Sequence, residues 1–203
     1  MSADFYDTHS RSYYEKTVNA DPSRFLHSLV CRLRKGARIL DVGCGSGRDL
    51  LWLKQHGFCP TGFERSAGLA ELAAQHSGCP VIRGDFLLDD FSRLHFDAIL
   101  LVGALVHLAE DELGSVLVRI GKALITNGLI YLTLKEGKGS MLSEDGRIFI
   151  LWERDKLERI VVASGLEILD FARDVSALDN GDAWLGYVLG RKGGLIAETE
   201  QCH

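Results

Sequence analysis

Three glycines at alternate positions, Gly43, Gly45 and Gly47, separate two apolar runs. Ile39, Leu40 and Val42 read as a buried strand, and Leu50, Leu51, Trp52 and Leu53 open a helical pattern. A strand, a glycine turn and a helix N-terminus together suit the polar end of a nucleotide-like ligand. Glycine lets backbone approach closely, and the free N–H groups of a first helical turn point at the ligand.

The glycine spacing selects among such ligands. Dinucleotide folds use G-x-G-x-x-G, whose last glycine packs the helix on the strand; here that position is Arg48. Asp41, two residues before Gly43, sets a carboxylate at the strand end, where it repels a pyrophosphate and suits an amino group or a sulfonium. Other polar residues recur after later apolar runs. Glu64, with Arg65 beside it, lies about 20 positions past the first glycine, where a carboxylate accepts both ribose hydroxyls. Gly84-Asp85-Phe86 offers a carboxylate for an exocyclic amine beside an aromatic ring, and Val102-Gly103-Ala104 lets backbone near the ligand. His107 titrates near neutrality and suits a general base, or a turn histidine bonded to backbone. Tyr13 and Tyr14 could close over a reacting group or simply pack a flap. Lys135 and Arg147 suit an acidic or phenolate substrate or a solvated loop, and Arg48 suits a ligand carboxylate, Asp49 or Glu64.

The elements that position these residues alternate. Residues 1–20 show no clear periodicity. Asp21-Pro22 predicts a helix start, with Phe25, Leu26, Leu29, Val30 and Leu33 on one face and Gly36 at its end. Strands are expected at about 37–42, 60–64, 79–83, 96–102 and 128–134, with helices at about 47–56, from Ser66, at 110–125 and at 153–164. Strands at about 166–173 and 183–190 have no helix between them and predict an antiparallel edge hairpin. The expected fold class is α/β: a doubly wound, mostly parallel seven-stranded sheet, with its ligand crevice at the carboxyl ends of the central strands.

A formal net charge of -5 supplies no global basic field, which counts against a dedicated nucleic-acid binder. Five cysteines (31, 44, 59, 79 and 202) are scattered, without C-x-x-C spacing. They read as reduced thiols of a cytoplasmic protein, with no metal site expected. Neither a signal peptide nor an apolar run of membrane length is read.

The run Asp41-Val-Gly43-Cys44-Gly45-Ser-Gly47 resembles motif I of the class I S-adenosylmethionine-dependent methyltransferases. Tyr6-Asp7 with Tyr13-Tyr-Glu-Lys-Thr17 looks like the N-terminal cover of their small bacterial members, and Leu105-Val-His107-Leu like their turn after strand four. Lys135-Glu-Gly137 with Asp145-Gly-Arg147-Ile-Phe149 resembles their loop after strand five, and Ala183-Trp-Leu185 their last strand. Glu64 replaces the commoner Asp, and Trp152 stands where Tyr is frequent.

The resemblance implies one domain over 1–203: a cover and helix at 1–35, a cofactor-binding core at 36–135, and a substrate-side loop, helix and hairpin at 136–191. It implies S-adenosylmethionine as cofactor, with S-adenosylhomocysteine as product. The cofactor-binding set is Asp41, Gly43, Cys44, Gly45, Arg48, Glu64, Arg65, Asp85, Phe86, Val102 and Gly103; the catalytic set is His107 and Tyr13. The expected reaction is in-line methyl transfer to an O or N nucleophile of a small molecule, by a monomer or homodimer away from membranes and nucleic acid. RNA or protein methylation, a nicotinamide oxidoreductase and a non-catalytic binding module are the competing readings.

Overall fold

Alternating faces of the strands carry two different cores. On the strand Phe96–Val102, Ile99 and Leu101 join one apolar cluster, while Ala98 and Leu100 join another on the opposite side. A strand buried on both faces belongs at the centre of a helix-covered sheet. Its one charged residue, Asp97, accepts the Arg38 N–H at 2.8 Å and pairs with Arg34 at 3.3 Å, which pins the start of the adjacent strand.

The computed structural model describes residues 2–175 and 181–192. In chain order the elements are α1 (Ser2–Thr8), α2 (Ser10–Thr17), α3 (Ser23–Val30), β1 (Arg38–Val42), α4 (Arg48–Gln55), β2 (Cys59–Glu64), α5 (Ala67–Ser77), β3 (Val81–Arg83) and β4 (Phe96–Val102). They continue with α6 (Leu113–Gly121), β5 (Leu124–Lys135), β6 (Gly139–Leu142), β7 (Ile148–Leu151), α7 (Arg154–Ala163), β8 (Leu166–Val175) and β9 (Ala183–Arg191).

A seven-stranded sheet runs β3-β2-β1-β4-β5-β9-β8. Its first five strands are parallel, and β9 lies antiparallel to both β5 and β8. The doubly wound sheet with its antiparallel C-terminal hairpin is the expected architecture. Strand order reverses between β1 and β4, so the crevice at their carboxyl ends is the place for a ligand. Local signals act where expected: the Ser66 hydroxyl accepts the Leu69 N–H at 3.4 Å to start α5, and Gly78 ends it in a left-handed conformation.

Four expectations are corrected. Residues 2–17 are helical, in two short helices packed through aromatic rings rather than an apolar stripe. The helix after Asp21 ends at Val30, before Gly36, while the Asp21 carboxylate takes the Ser23 N–H at 2.9 Å at its start. α6 is shorter than 110–125, because the Phe96 N–H bonds to the Ala123 carbonyl at 2.9 Å and draws the chain into β5 by Leu124. The segment 135–152 is not an irregular loop: β6 and β7 form their own hairpin, docked on the turn after β4 by the Ile150 N–H donating to Val106 O at 2.8 Å.

Gly47 shows why the turn into α4 needs glycine. Its φ is +75°, and a Cβ there would lie 2.8 Å from both Cα and O of Ala73 in α5. Gly47→Ala is therefore expected to lower unfolding free energy by about 2–4 kcal/mol, combining left-handed strain with backbone overlap. Gly36, at φ +76° with nothing within 4 Å of its added Cβ, should lose only about 1–2 kcal/mol as alanine. Equal losses in urea melts of the two variants would contradict this packing.

Candidate active site

The glycine loop is held from below by β2. The Gly43 and Cys44 amides donate to Phe63 O at 2.7 and 3.3 Å, Gly45 donates to Glu64 Oε2 at 3.0 Å, and Gly47 to Cys44 O at 2.9 Å. These four amides are thus paired within the protein rather than free for a ligand. Glycine instead gives room. A Cβ on Gly43 would stand 2.9 Å from Ala104 Cβ, and one on Gly45 would stand 3.2 Å from the Tyr13 ring.

Acidic groups gather beside the loop. Asp41, Asp49 and Glu64 are all buried, and the cation set among them is Arg48, bound to both oxygens of Asp49 at 2.6 and 3.0 Å. Arg48 thus takes the Asp49 alternative, with its guanidinium 5.3 Å from the Phe25 ring. Glu64 uses Oε2 for Gly45 and Oε1 for the Ser66 N–H at 2.9 Å. Asp41 Oδ2 is buried with no hydrogen-bond partner. Burial first, then the Asp49 charge, pushes the Asp41 carboxyl well above its ordinary range. Burial raises Glu64 too, opposed by the backbone N–H groups that it accepts.

Other expected residues sit less directly. The Cys44 side chain packs in a small core with Leu50, Ala73 and Cys79 and would touch a Cβ on Gly62 at 2.7 Å, so only its backbone belongs to the loop. Burial pushes its thiol up. Arg65 pairs with Asp85 at 3.2 Å, and Asp85 Oδ1 also takes the Leu87 N–H at 2.9 Å. Phe86 is half-buried against the larger core and Val102 against the smaller one. Gly103 has φ +63° and donates its N–H to Thr133 Oγ1 at 2.9 Å, a support the sequence did not suggest.

The N-terminal helices lie over this crevice. Tyr13 sits on Gly45, and Tyr6 meets Tyr13 edge-on with ring centroids 5.1 Å apart. The Tyr6 hydroxyl is 3.0 Å from His107 Nε2, while His107 Nδ1 is 2.5 Å from Ile148 O. A carbonyl only accepts, so Nδ1 carries the proton and Nε2 accepts from Tyr6. Arg147 donates to the same Tyr6 oxygen at 3.1 Å and is forked onto Asp145. Its guanidinium stands 4.7, 5.7, 5.9 and 5.1 Å from the Phe5, Tyr6, Tyr13 and Phe149 rings. Burial, then the Arg147 charge, holds His107 below its usual value against the Ile148 bond. Burial pushes both tyrosines up, and Arg147 opposes this. Tyr14 points elsewhere, to His76 on α5 at 3.3 Å. Sequence reasoning gave Tyr6 no role of its own; its spacing of two helical turns from Tyr13 was the available signal.

Residues 39–128 match the sequence family described as a methyltransferase domain. That stretch, from β1 into β5, is what this chain shares with the methyltransferase domain. A protein of Geobacillus sp. (strain WCH70), provisionally described as a methyltransferase, is 29% identical over 130 residues, covering 58% of this chain and 53% of that protein. The chain thus spans about half the length of that curated relative. The Burkholderia thailandensis 1,6-didemethyltoxoflavin-N1-methyltransferase, solved with 1,6-didemethyltoxoflavin and S-adenosylhomocysteine, matches with a TM-score of 0.70 and 23% identity, over 94% of this chain and 88% of that one. Magnesium protoporphyrin IX methyltransferase from Synechocystis PCC 6803, with S-adenosylhomocysteine bound, gives 0.73 and 13% over 94% and 98%. The fold is therefore that of the class I S-adenosylmethionine-dependent methyltransferases. Among the described residues no helix is long and apolar enough to cross a membrane.

The His107 latch carries a sign in pH. The fold holds the imidazole below its ordinary value of 6.5, so the unfolded chain binds that proton more readily as pH falls. The contribution to stability is intact above this pH and is lost on acidification. Hydrogen exchange of residues 2–17, corrected for intrinsic rates, should show protection lost progressively as pH falls below about 6.5. His107→Gln should flatten that step; an unchanged step in the variant would exclude the latch.

Proposed function

We propose that the protein transfers the methyl group of S-adenosylmethionine to a small-molecule acceptor. The observation that carries this is the orphaned, buried Asp41 Oδ2 beside the glycine loop, in a cluster with more carboxylates than cations. Such a cluster fits a ligand bearing an ammonium and a sulfonium, and it repels a pyrophosphate. Asp41 would hold the amino end, Gly43, Cys44 and Gly45 the methionyl backbone, and Glu64 the ribose, its carboxylate having lone pairs beyond the two in use. Asp85 and Phe86, with Arg65 steadying Asp85, would frame the adenine. Val102 and Gly103 would pass the ligand's midpoint, and Arg48 balances Asp49. When bound, the cofactor supplies a methyl group already activated by its sulfonium.

The rest is positioning, which contributes about 7–11 kcal/mol in well-aligned reactions. Tyr13 shields the loop from water. A proton leaving the acceptor would pass to the Tyr6 oxygen while the Tyr6 proton moves to His107 Nε2. His107 thereby acts through Tyr6 rather than on the acceptor directly. Two structural neighbours, named for methylation of 1,6-didemethyltoxoflavin and of magnesium protoporphyrin IX, support a small acceptor. The acidic balance disfavours nucleic acid, and Cys44, Cys59 and Cys79, present as thiols, suit the reducing cytoplasm. One domain, as monomer or homodimer, suffices for this reading.

The test is thermal shift with S-adenosylhomocysteine. At 100 times Kd the wild type should gain about 2.7 kcal/mol, and NAD should give no shift. Glu64→Ala should weaken binding about 10–100-fold. Asp41→Asn should weaken it while raising the melting temperature of the free protein, because a carboxyl whose buried site disfavours its ionised form is removed. A response to NAD alone, or no response to S-adenosylhomocysteine, would reject the reading.

A further inference from the structure

At the end of the crevice away from β2, a lysine is buried among aromatic rings. Lys135, the last residue of β5, is 6% exposed. Its ammonium lies 4.2 Å from the Phe149 ring centroid and 5.7 Å from that of Trp184, and it pairs with Asp182. Trp184 is its direct cross-strand partner on β9, which places both side chains on one face of the sheet. The same face carries Thr133, which holds the Gly103 amide, and a Cβ on Gly103 would touch the Trp184 ring at 3.5 Å. Phe149 in turn faces His107 at 4.8 Å and Arg147 at 5.1 Å. Two aromatic rings and a buried ammonium therefore converge where β4, β5, β7 and β9 meet, next to His107. The acidic cluster that suits the cofactor lies on β1, β2 and the start of α4, with opposite charge character.

We propose that this box binds the acceptor, and that the acceptor is a flat molecule whose ring packs on Phe149 and Trp184 and whose anionic oxygen displaces Asp182 from Lys135. An ammonium has three N–H donors and is a strongly hydrated point charge, so burying it needs partners beyond ring faces. Asp182 fills that need in this structure, from the connection between β8 and β9. An acceptor oxygen of the same charge exchanges for it at little electrostatic cost, whereas a neutral acceptor does not. Lys135 is then a specificity-determining residue. The inference rests on the methyltransferase reading for the use made of the bound molecule, though not for its binding.

The test is calorimetric titration of the full chain, with S-adenosylhomocysteine present, using naphthoate as a carboxylate probe, hydroxynaphthoquinone as an enolate probe and naphthamide as their neutral counterpart. Naphthoate, hydroxynaphthoquinone or both should bind at least about tenfold tighter than naphthamide, and which one does names the kind of oxygen. Lys135→Met should abolish the preference while leaving S-adenosylhomocysteine binding within about twofold. Asp182→Asn removes the competing carboxylate and should tighten the anionic probe several-fold, whereas a purely structural ion pair would give weaker binding or none. Equal binding of anionic and neutral probes, absence of binding by all three, or an Asp182→Asn variant that loses the anionic probe would overturn the proposal. If Lys135→Met does not fold, the sign of the Asp182→Asn effect decides alone. Loss of the S-adenosylhomocysteine response with the anion preference intact would instead remove the cofactor reading and leave the box standing.

Discussion

Acidic groups taken out of water govern the carboxyl end of β1. Asp41, Asp49 and Glu64 are taken out of water together, and the Arg48 guanidinium is committed to Asp49. Desolvating carboxylates is unfavourable unless partners compensate. Glu64 is compensated by two backbone amides, whereas Asp41 is left with an oxygen bonded to nothing. A protein under selection for stability alone would replace Asp41 with an apolar residue, as Ile39, Leu40 and Val42 around it show. On the proposed reading, that cost is kept for a cationic ligand at the glycine loop.

The cover over the crevice answers the same constraint from above. Helices α1 and α2 are joined to the domain by a ring cluster built around Arg147, by Tyr14 on His76 and by the Ser66 hydroxyl donating to the Tyr6 carbonyl. Arginine suits that place because its planar guanidinium stacks on rings while its edge forks onto Asp145 and reaches Tyr6. Since Arg147 belongs to the connection between β6 and β7, the N-terminus and that hairpin are mechanically one unit. His107 enters it from the turn after β4 through Tyr6 and Ile148. Opening the cover therefore disturbs His107, and protonating His107 loosens the cover.

The parallel core was legible because each of its strands is a short apolar run ended by glycine or a carboxylate, and because period 3.6 marks the helices between them. Asp41, Glu64 and Asp85 were legible for the same reason, since strand ends fall at one edge of such a sheet. The cover and the β6–β7 hairpin were not. Their contacts run between rings and one arginine far apart in sequence, and neither a stripe nor an alternation records such pairings. Lys135 shows the same limit: as a type it suggests a solvated loop, and only β9, laid beside β5 with Trp184 across from it, reveals that it is buried. Cys44 marks the converse limit, because its position in the loop does not reveal that its side chain packs with Leu50, Ala73 and Cys79.

Two halves of the crevice thus carry opposite charge, and the topology explains why they stay apart. The acidic half is built on β1 and β2, to one side of the point where strand order reverses; the basic and aromatic half is built on β5, β7 and β9, to the other side. Between them stands β4, whose end offers only Gly103 backbone, Ala104 and then His107. A cationic ligand on one side and an anionic one on the other would each be held by its own half and would attract the other across this neutral partition. Bringing two reactants to contact by complementary charge, with the imidazole at their junction kept neutral by burial and by Arg147, requires no strong base on the protein. The geometry favours a reaction limited by alignment over one limited by proton removal.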